Sequence, residues 1–426
     1  MKDSAGGDKW YYSFLPNGIA GGATSTLIPL FALLLGAGAA EVGIIAASSS
    51  IASVPAFMLW GRASDRLGRR RAFVVLSFVG MAVSLGIMAL SQGVPELYLA
   101  NLLLGALTSA GVVGTVLIME TSDRSQWPNK LALFSQIGGI GFIVGLAIGA
   151  SWLAGFSGTW GAIGSMRALF LAGAMLSVLS ALMAWRWIKD PETPVKRSAV
   201  HISEHLYLAV ERVKFLPMRL LHYFDFANHG ERRPASSKTL RSYYVCVVLL
   251  FSGFTAFYAM FPIFLAGPAR FDASQVFAVF IASQAVSAAI YSRVGRWISR
   301  LGARRAQIAG ATARVVLFPA FLSLVWLPLG MTWAFIAALL VHGLVGASWA
   351  VINVSGSTII SRLAPKEGRA QMFGLYNAVQ GIGSIAGPLL GGFVAEAYGF
   401  GAWFALSSGL ILAGVLILAG LRIQED

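Results

Sequence analysis

The sequence has few charged residues and a single cysteine. Asp, Glu, Lys and Arg together make up 12% of the 426 residues, about half of the roughly 25% found in soluble domains. Hydrophobic residues make up 57%, which is more apolar surface than a water-soluble core can bury, so lipid must solvate much of the chain. The single cysteine, Cys246, excludes an intrachain disulfide, and we expect it to pack as a small side chain within a helix.

Apolar stretches of membrane-spanning length recur along the whole chain. Each is close to the roughly 20 residues that a helix needs to cross the hydrocarbon of a bilayer. The first is too long for the apolar region of a cleavable signal, so we expect it to remain as a helix. The sequence therefore predicts an all-α integral membrane protein with twelve transmembrane helices, at about 10–36, 42–60, 72–92, 96–119, 131–154, 166–188, 242–267, 273–295, 305–327, 330–355, 370–395 and 399–421.

The net charge of +14 follows these stretches. With both termini in the cytoplasm, 29 of the 32 Lys and Arg fall in cytoplasmic segments, as the positive-inside rule requires. The exceptions are Arg167 and Arg270 on the other side and Arg314 within a stretch. We therefore expect a multi-pass protein of the cell membrane with cytoplasmic termini, and no nucleic-acid partner.

A repeated basic loop divides the chain into two halves. GRASDRLGRRR begins at Gly61 and GRWISRLGARR at Gly295, with seven of eleven positions identical at an offset of 234 residues (295 − 61). This internal repeat predicts two six-helix bundles, at 1–188 and 242–426, joined by a cytoplasmic segment at 189–241. Parallel repeats of this kind are found in secondary transporters.

The first copy resembles the signature loop of the major facilitator superfamily, Gly-x-x-x-Asp-Arg-x-Gly-Arg-Arg, and lies between the second and third apolar stretches, as it does in that family. The resemblance implies two pseudo-symmetric bundles, transport by alternating access, and no enzyme activity. It also implies that an acid and its Arg neighbours hold the cytoplasmic ends of neighbouring helices together, favour the outward-facing state and separate when the halves rock. The residues of this conformational gate are Gly61, Asp65, Arg66, Gly68, Arg69 and Arg70.

The alternative for this loop is a basic segment that only fixes orientation, which would need neither the acid nor the glycines. We expect Gly61 and Gly68 to allow close backbone approach and a tight turn. In the second copy Ser299 stands at the position of Asp65, so we expect that copy to keep the turn without the acidic contact.

No Asp or Glu lies near the middle of an apolar stretch, and the two ionisable side chains at that depth are Arg314 and His342. They lie about ten and eleven residues into their stretches, or roughly 15 Å deep at 1.5 Å per residue. A charge there costs at least about 2.5–3.5 kcal/mol, so both are candidates for contact with substrate or a proton. The alternatives are a buried donor to backbone carbonyls for Arg314 and a hydrogen-bonded packing residue for His342.

Further polar residues at mid-helix depth predict an uncharged hydrogen-bonding pocket between the bundles. Drug/proton antiporters of the family carry Arg-x-x-Gln-Gly where this chain has Asn-Leu-Leu-Leu-Gly, which relays no proton, and a cation would meet no carboxylate. We therefore expect a small neutral or anionic organic solute; the alternative is a multidrug/proton antiporter that exports hydrophobic compounds. The pocket candidates are Asn101, Gln136, Tyr258, Gln284, Trp349, Tyr376, Asn377 and Gln380.

The eleventh stretch carries glycine at every fourth position, which favours close helix packing, and a proline that removes one backbone hydrogen bond and produces a kink. Exporters of the family have a similar Gly-Pro pattern in their fifth helix instead, so we favour a packing role over a specialised conformational one. The residues are Gly383, Gly387, Pro388 and Gly391.

The central segment contains HISEHLYLAVERVKFL, whose apolar spacing predicts an amphipathic helix on the bilayer surface; a regulatory or partner-binding role is the alternative. The string from His201 to His205 matches a zinc pattern over five residues only, so we expect no metal and no other cofactor. A receptor or scaffold would need larger soluble domains. The expected partners are a small-molecule substrate, the lipid bilayer and, for a coupled carrier, a proton, and we expect a monomer.

Overall fold

The computed structural model describes residues 9–123, 126–190, 238–363, 369–421 and 423. These ranges are almost entirely helical and contain no strand. The amphipathic helix predicted in the central segment and the His201 to His205 string lie outside them.

The membrane helices are named α1 to α12 in chain order. Three of them contain a local break: α1 at Thr26, α4 at the 3-10 turn Ser109–Val112, and α9 near Phe321. The bounds are Lys9–Leu34, Ala39–Leu67, Arg70–Leu90, Val94–Thr121, 127–160, 162–187, Lys238–Ala266, Ala273–Leu301, Ala303–Trp326, Met331–Leu363, 369–398 and 400–420.

Two glycines separate helices that are otherwise continuous. The run Trp127–Trp187 has 61 residues and would measure about 90 Å as one straight helix, three times the thickness of the bilayer hydrocarbon. Gly161 (φ 72°, ψ 162°) breaks it into α5 and α6, and Gly399 (φ 80°, ψ 176°) separates α11 from α12 in the same way. This backbone conformation is essentially restricted to glycine. With both breaks, the ten membrane-length helices found in the described ranges become twelve, the number that the sequence predicts.

The two halves use the same pairs of helices. In the first half α1 packs against α5, and α2 against α4; in the second, α7 packs against α11 and α8 against α10. The basic side of the bundle is the side that carries the α2–α3 loop with Arg69; the opposite side carries the α1–α2 and α3–α4 loops.

Glycine allows the innermost helices to approach their partners closely. A Cβ on Gly145 of α5 would overlap the carbonyl oxygen of Ile19 in α1. In the second half a Cβ on Gly387 of α11 would overlap the carbonyl oxygen of Ser252 in α7. Gly383 and Gly391 lie against α7 in the same way, so all three predicted glycines of α11 are at a helix–helix contact.

Candidate functional site

A cavity of about 450 Å³ lies between the two halves. Helices α1 to α4 form its wall on one side, and α7 and α11 on the other. Among the described residues that line it there is no Asp, Glu, Lys, Arg or His. Its polar groups are one amide, one phenol and six aliphatic hydroxyls: Asn101, Tyr258, Thr24, Ser25, Ser49, Ser50, Thr255 and Ser384.

Several of these polar groups are held by backbone carbonyls. Thr24 Oγ1 donates to the Ala20 carbonyl at 2.7 Å, and Ser384 Oγ to the Gln380 carbonyl at 3.0 Å. A hydroxyl has one hydrogen, so these two present oxygen lone pairs as acceptors. Asn101 Nδ2 donates to the Ile45 carbonyl at 2.6 Å, which fixes α4 against α2 and orients the amide at the cavity wall.

The structure places the predicted pocket residues in different surroundings. Asn101 and Tyr258 line the cavity. Trp349 packs against Phe251 and Phe254, and Tyr376 stacks on Tyr243 at 6.4 Å between ring centroids. Of the remaining amides, Gln284 and Gln380 are half-buried, and Gln136 and Asn377 are exposed.

The Ser and Thr hydroxyls of the cavity were not among the predicted residues. Single hydroxyl residues are common in apolar helices, where they donate to the carbonyl one turn back, so their presence alone is no sign of a binding site. The available signal was the run Ser48 to Ser50 in α2, which is unusually polar for the middle of a membrane helix.

His342 is buried within the second half and does not line the cavity. Its Nδ1 lies 2.8 Å from the Val279 carbonyl oxygen, so Nδ1 carries the proton. The ring is surrounded by aromatic side chains, with Phe261 and Phe280 at 4.9 and 5.2 Å between centroids. Its Nε2 has no hydrogen-bond partner within the described ranges.

Arg314 is also fully buried, between α7 and α10. Its Nε donates to Ser348 Oγ at 2.9 Å and its Nη2 to the Val345 carbonyl at 3.3 Å, while Nη1 has no partner within the described ranges. The guanidinium carbon lies 4.5 Å from the ring centroid of Phe254 and 5.2 Å from that of Trp349. Arg314 therefore donates to a backbone carbonyl, which is one of the two roles that the sequence left open for it, and in addition makes cation–π contacts.

The signature loop forms a charged cluster around Arg70, the first residue of α3. Arg70 Nη2 lies 2.9 Å from Asp65 Oδ1 and 2.5 Å from Glu120 Oε1, and Nε lies 2.9 Å from Glu120 Oε2. Its Nη1 donates to Ser64 Oγ at 2.8 Å. One guanidinium thus connects the ends of α2, α3 and α4.

The two glycines of this loop have different roles. Gly68 ends α2 with φ 63°, the left-handed conformation that favours glycine at a helix C-terminus. Gly61 lies inside α2, and a Cβ there would have no atom within 4 Å. Close backbone approach at Gly61, expected from the sequence, is therefore not found. Arg66 and Arg69 are exposed.

The second copy of the loop makes different contacts. Arg304, which corresponds to Arg70 (70 + 234), donates to the carbonyls of Leu418 and Ala419 at the end of α12. Ser299 donates to the Arg296 carbonyl within its own helix. The turn is kept at Gly302, with φ 83°, and the basic residue now caps a helix.

On the opposite side the two halves are in contact. Glu396 Oε2, at the end of α11, accepts a hydrogen bond from the Ala40 amide in the first turn of α2 at 2.7 Å. A turn further into the membrane, a Cβ on Gly43 would lie 3.0 Å from the Gly392 Cα. Between α5 and α8, Gly149 faces the ring of Phe277. These close approaches hold the halves together at α2–α11 and at α5–α8 on that side, beside a second cavity of about 500 Å³ between α1, α5 and the α7–α8 loop.

On the basic side the facing residues of the same two helices become exposed. A Cβ on Gly381 of α11 would lie 3.0 Å from Val54 Cγ2 of α2. One turn closer to the basic side, on the same helix faces, Met58 is 51% exposed and Asn377 is exposed. The described residues therefore hold α2 and α11 together on the opposite side, called the closed side below, and leave their facing residues exposed on the basic side, called the parted side.

A family model described as Major Facilitator Superfamily matches residues 12–355 and 315–426. The chain belongs to the Major Facilitator Superfamily. It is a multi-pass membrane transporter and not an enzyme, as the signature loop and the repeat predict.

Relatives of this chain include proteins named for drug resistance. The chain is 23% identical to multidrug resistance protein 1 of Bacillus subtilis over 363 residues, which cover 83% of this chain and 80% of that protein. It is 28% identical to the class B tetracycline resistance protein of Escherichia coli over 178 residues, 40% of this chain and 41% of that protein. The crystal structure of the nucleoside transporter NupG has the same fold, with a TM-score of 0.66 at 18% identity over 97% of both chains.

Proposed function

We propose that this member of the superfamily is a secondary transporter that moves a small neutral or anionic organic solute through the cavity between its halves. The observation that carries the proposal is the cavity lining, which contains hydroxyls, the Asn101 amide and the Tyr258 phenol but no carboxylate within the described residues. A cation would lose its hydration shell there without gaining an opposite charge. Hydrogen bonds to the lining suffice to orient an uncharged or negatively charged solute.

Alternating access is the mechanism proposed for this movement. The present state, closed on the opposite side and parted on the basic side, is the inward-facing one if the basic side is cytoplasmic. Rocking of the halves would separate Glu396 from Ala40 on the opposite side and bring α2 and α11 together near Asp65. The gate is the loop described above, Gly61, Asp65, Arg66, Gly68, Arg69 and Arg70, in which Arg70 holds three helix ends as one unit.

Export of hydrophobic drugs by proton antiport is the second candidate. The names of the relatives favour it, and so does the apolar share of the lining, since Ile28, Val42, Met81 and Leu104 reach the cavity. This candidate differs in the predicted breadth of ligands: apolar contacts accept unrelated compounds of the right size, whereas oriented hydrogen bonds select among them.

A thermal-shift screen of the purified protein against metabolites, organic anions and hydrophobic drugs, repeated across pH, tests the proposal. A ligand that binds only the folded state raises the Tm, by an amount equivalent to about 2.7 kcal/mol at a hundred times its Kd. We expect the hits to be neutral or anionic solutes of one chemical type, which should then enter proteoliposomes. Hits among unrelated hydrophobic compounds would replace the proposal with drug export, and a set of organic cations would contradict it.

The remaining features belong to the same proposal. The halves are taken as 1–188 and 242–426, joined by 189–241, in a monomer of the cell membrane with cytoplasmic termini. If a proton is coupled, His342 is the candidate to carry it, because an imidazole can bind and release a proton whereas the guanidinium of Arg314, the other ionisable side chain at mid-depth, stays charged.

A further inference from the structure

Arg314 carries a buried positive charge that no carboxylate balances. Within the described ranges no Asp or Glu forms an ion pair with it, and its hydrogen-bond acceptors, Ser348 Oγ and the Val345 carbonyl, are uncharged. Lone buried charges are costly, and proteins normally place an opposite charge beside them. Nη1, which carries two of the five N–H donors of this guanidinium, is fully buried and has no hydrogen-bond partner within the described ranges.

Aromatic side chains of α7 lie between the Arg314 guanidinium and the cavity. Phe254 and Tyr258, one turn apart on α7, both face the guanidinium carbon, at 4.5 and 5.8 Å from their ring centroids. Tyr258 also lines the cavity, as does Thr255 between them. Tyr258 is therefore a wall with Arg314 on one side and the substrate space on the other.

A charge in this position acts across the wall. Mobile ions do not enter the packed interior between the guanidinium and the aromatic rings, so they do not screen the charge there. At an effective dielectric constant of about 20, a unit charge still acts over about 10 Å. The cavity lining supplies no opposing charge within the described residues. The potential in the cavity must then be positive on the side formed by α7.

We propose that Arg314 makes the cavity selective for anions, and that the substrate carries a carboxylate or a similar oxyanion, which binds on the cavity face of Tyr258. The inference rests on the proposed function in taking this cavity as the substrate site, and it narrows the substrate from neutral or anionic to anionic. Substrate binding then supplies the opposite charge that the folded chain lacks. The two hydrogen bonds of Arg314 to α10 hold the guanidinium in place for this purpose.

Cysteine chemistry can measure the sign of this potential without knowledge of the substrate. Cys246 is replaced by Ala, and a cysteine is introduced as Thr255→Cys beside Tyr258 or as Ser25→Cys across the cavity on α1. Each thiol is reacted with two methanethiosulfonates of similar size, one bearing a sulfonate and the other a trimethylammonium group. The ratio of their rates is normalised to that for mercaptoethanol in solution. The same thiolate attacks the sulfur of both reagents and displaces methanesulfinate, so changes in thiol pKa cancel in the ratio.

The anion-to-cation ratio is expected to be at least about tenfold above the solution value at Thr255→Cys and smaller at Ser25→Cys. Arg314→Gln should abolish this preference, and Arg314→Lys should retain it. Arg167→Gln is the matched control, because Arg167 is a half-buried arginine of the first half that donates to the Ser91 carbonyl, outside the cavity lining. A ratio near that of solution at Thr255→Cys, or one that Arg314→Gln leaves unchanged, overturns the inference.

Failure to fold does not block the test, since the comparison of Thr255→Cys with Ser25→Cys needs no change at Arg314. Failure of the proposed function is also distinguishable. If the anion-to-cation ratio changes in the Arg314 variants but no solute enters proteoliposomes, the proposed transport through this cavity is wrong. The assignment of a positive potential to Arg314 still stands in that case. If the transported solute proves neutral, and an analogue of it that carries a carboxylate binds no more tightly than the solute itself, the anionic substrate class is overturned.

Discussion

Replacing Asp65 by Asn removes the negative charge from the signature loop and keeps the size and shape of the side chain. The carboxylate lies 2.9 Å from Arg70 Nη2 and is 44% exposed. Exposed ion pairs contribute about 0.2–1 kcal/mol, and Arg70 keeps its two contacts with Glu120 in the variant. We therefore expect Asp65→Asn to fold and insert normally. Because the pair with Arg70 is already made in the present state, the shift comes from the contact that the exposed carboxylate makes with the other half when the basic side closes, and losing that contact costs the closed state at most about 1 kcal/mol. That loss corresponds to a population shift of up to about fivefold.

The shift can be read from cysteines that report on each side of the protein. The reporters for the basic side are Met58→Cys and Asn377→Cys, in the Cys246→Ala background. They replace exposed residues of α2 and α11 that face each other near the basic side. Asp65→Asn should increase their rate of labelling from the basic side, up to about fivefold, and should slow transport. Ser299→Ala is the matched control in the second copy of the loop, where the hydroxyl only contacts its own helix, and it should change neither rate. Unchanged labelling and transport in Asp65→Asn would reduce the loop to a topology signal.

Three further changes test other contacts. Glu396→Gln removes a charge from the N-terminus of α2, worth about 0.3–1 kcal/mol, and should increase labelling on the opposite side; Glu41→Gln, whose carboxylate bonds its own helix, should not. Gly387→Ala places a Cβ on the Ser252 carbonyl and should lower the Tm by the equivalent of about 1–3 kcal/mol, whereas Gly409→Ala, with open space around it, should leave Tm unchanged or raise it. His342→Gln should make any proton-driven uptake into vesicles indifferent to the pH gradient; a drive that survives would point to carboxylates at the cavity mouths.

The fold was predictable because its two strongest determinants are written in the sequence. Membrane-length apolar stretches predict the number of helices, and the repeated basic loop predicts two halves that use the same helix pairs. The bounds were less accurate where helices extend beyond the hydrocarbon. The second stretch was predicted at 42–60, but α2 is Ala39–Leu67, since its last turns are charged and still helical. The breaks at Gly161 and Gly399 follow from a backbone conformation that composition does not reveal.

The sequence predicted how deep the candidate residues lie in the membrane, but not the direction in which their side chains face. Arg314 and His342 were placed at mid-depth from their distance along the helix, and both are buried. Which way they face depends on the rotation of the helix, and a nearly uniform apolar sequence carries little information about rotation. Both therefore face the core of the second half, while Asn101 and Tyr258 face the cavity. The hydroxyls of Thr24 and Ser384 were missed because they resemble ordinary backbone-bonded residues.

The asymmetry of the two halves bears directly on how the gate works. In the first half Arg70 is shared by two acids, Asp65 and Glu120, whereas in the second half Arg304 caps α12. The acid that α11 contributes is Glu396, at its opposite end, and it is bonded to α2 in the present state. The α2–α11 pair thus carries Asp65 on the basic side and Glu396, beside Glu41, on the opposite side. Glu396 bridges the halves now, while Asp65 holds its own half together and remains partly exposed.

Since the two helices cannot be close at both ends of a rocking pair, engagement of Asp65 with the other half must require release of Glu396. The Asp65→Asn and Glu396→Gln variants should therefore shift labelling in opposite directions, and their combination should return it toward the wild-type value. A double variant that labels like either single one would show that the two ends do not share one equilibrium.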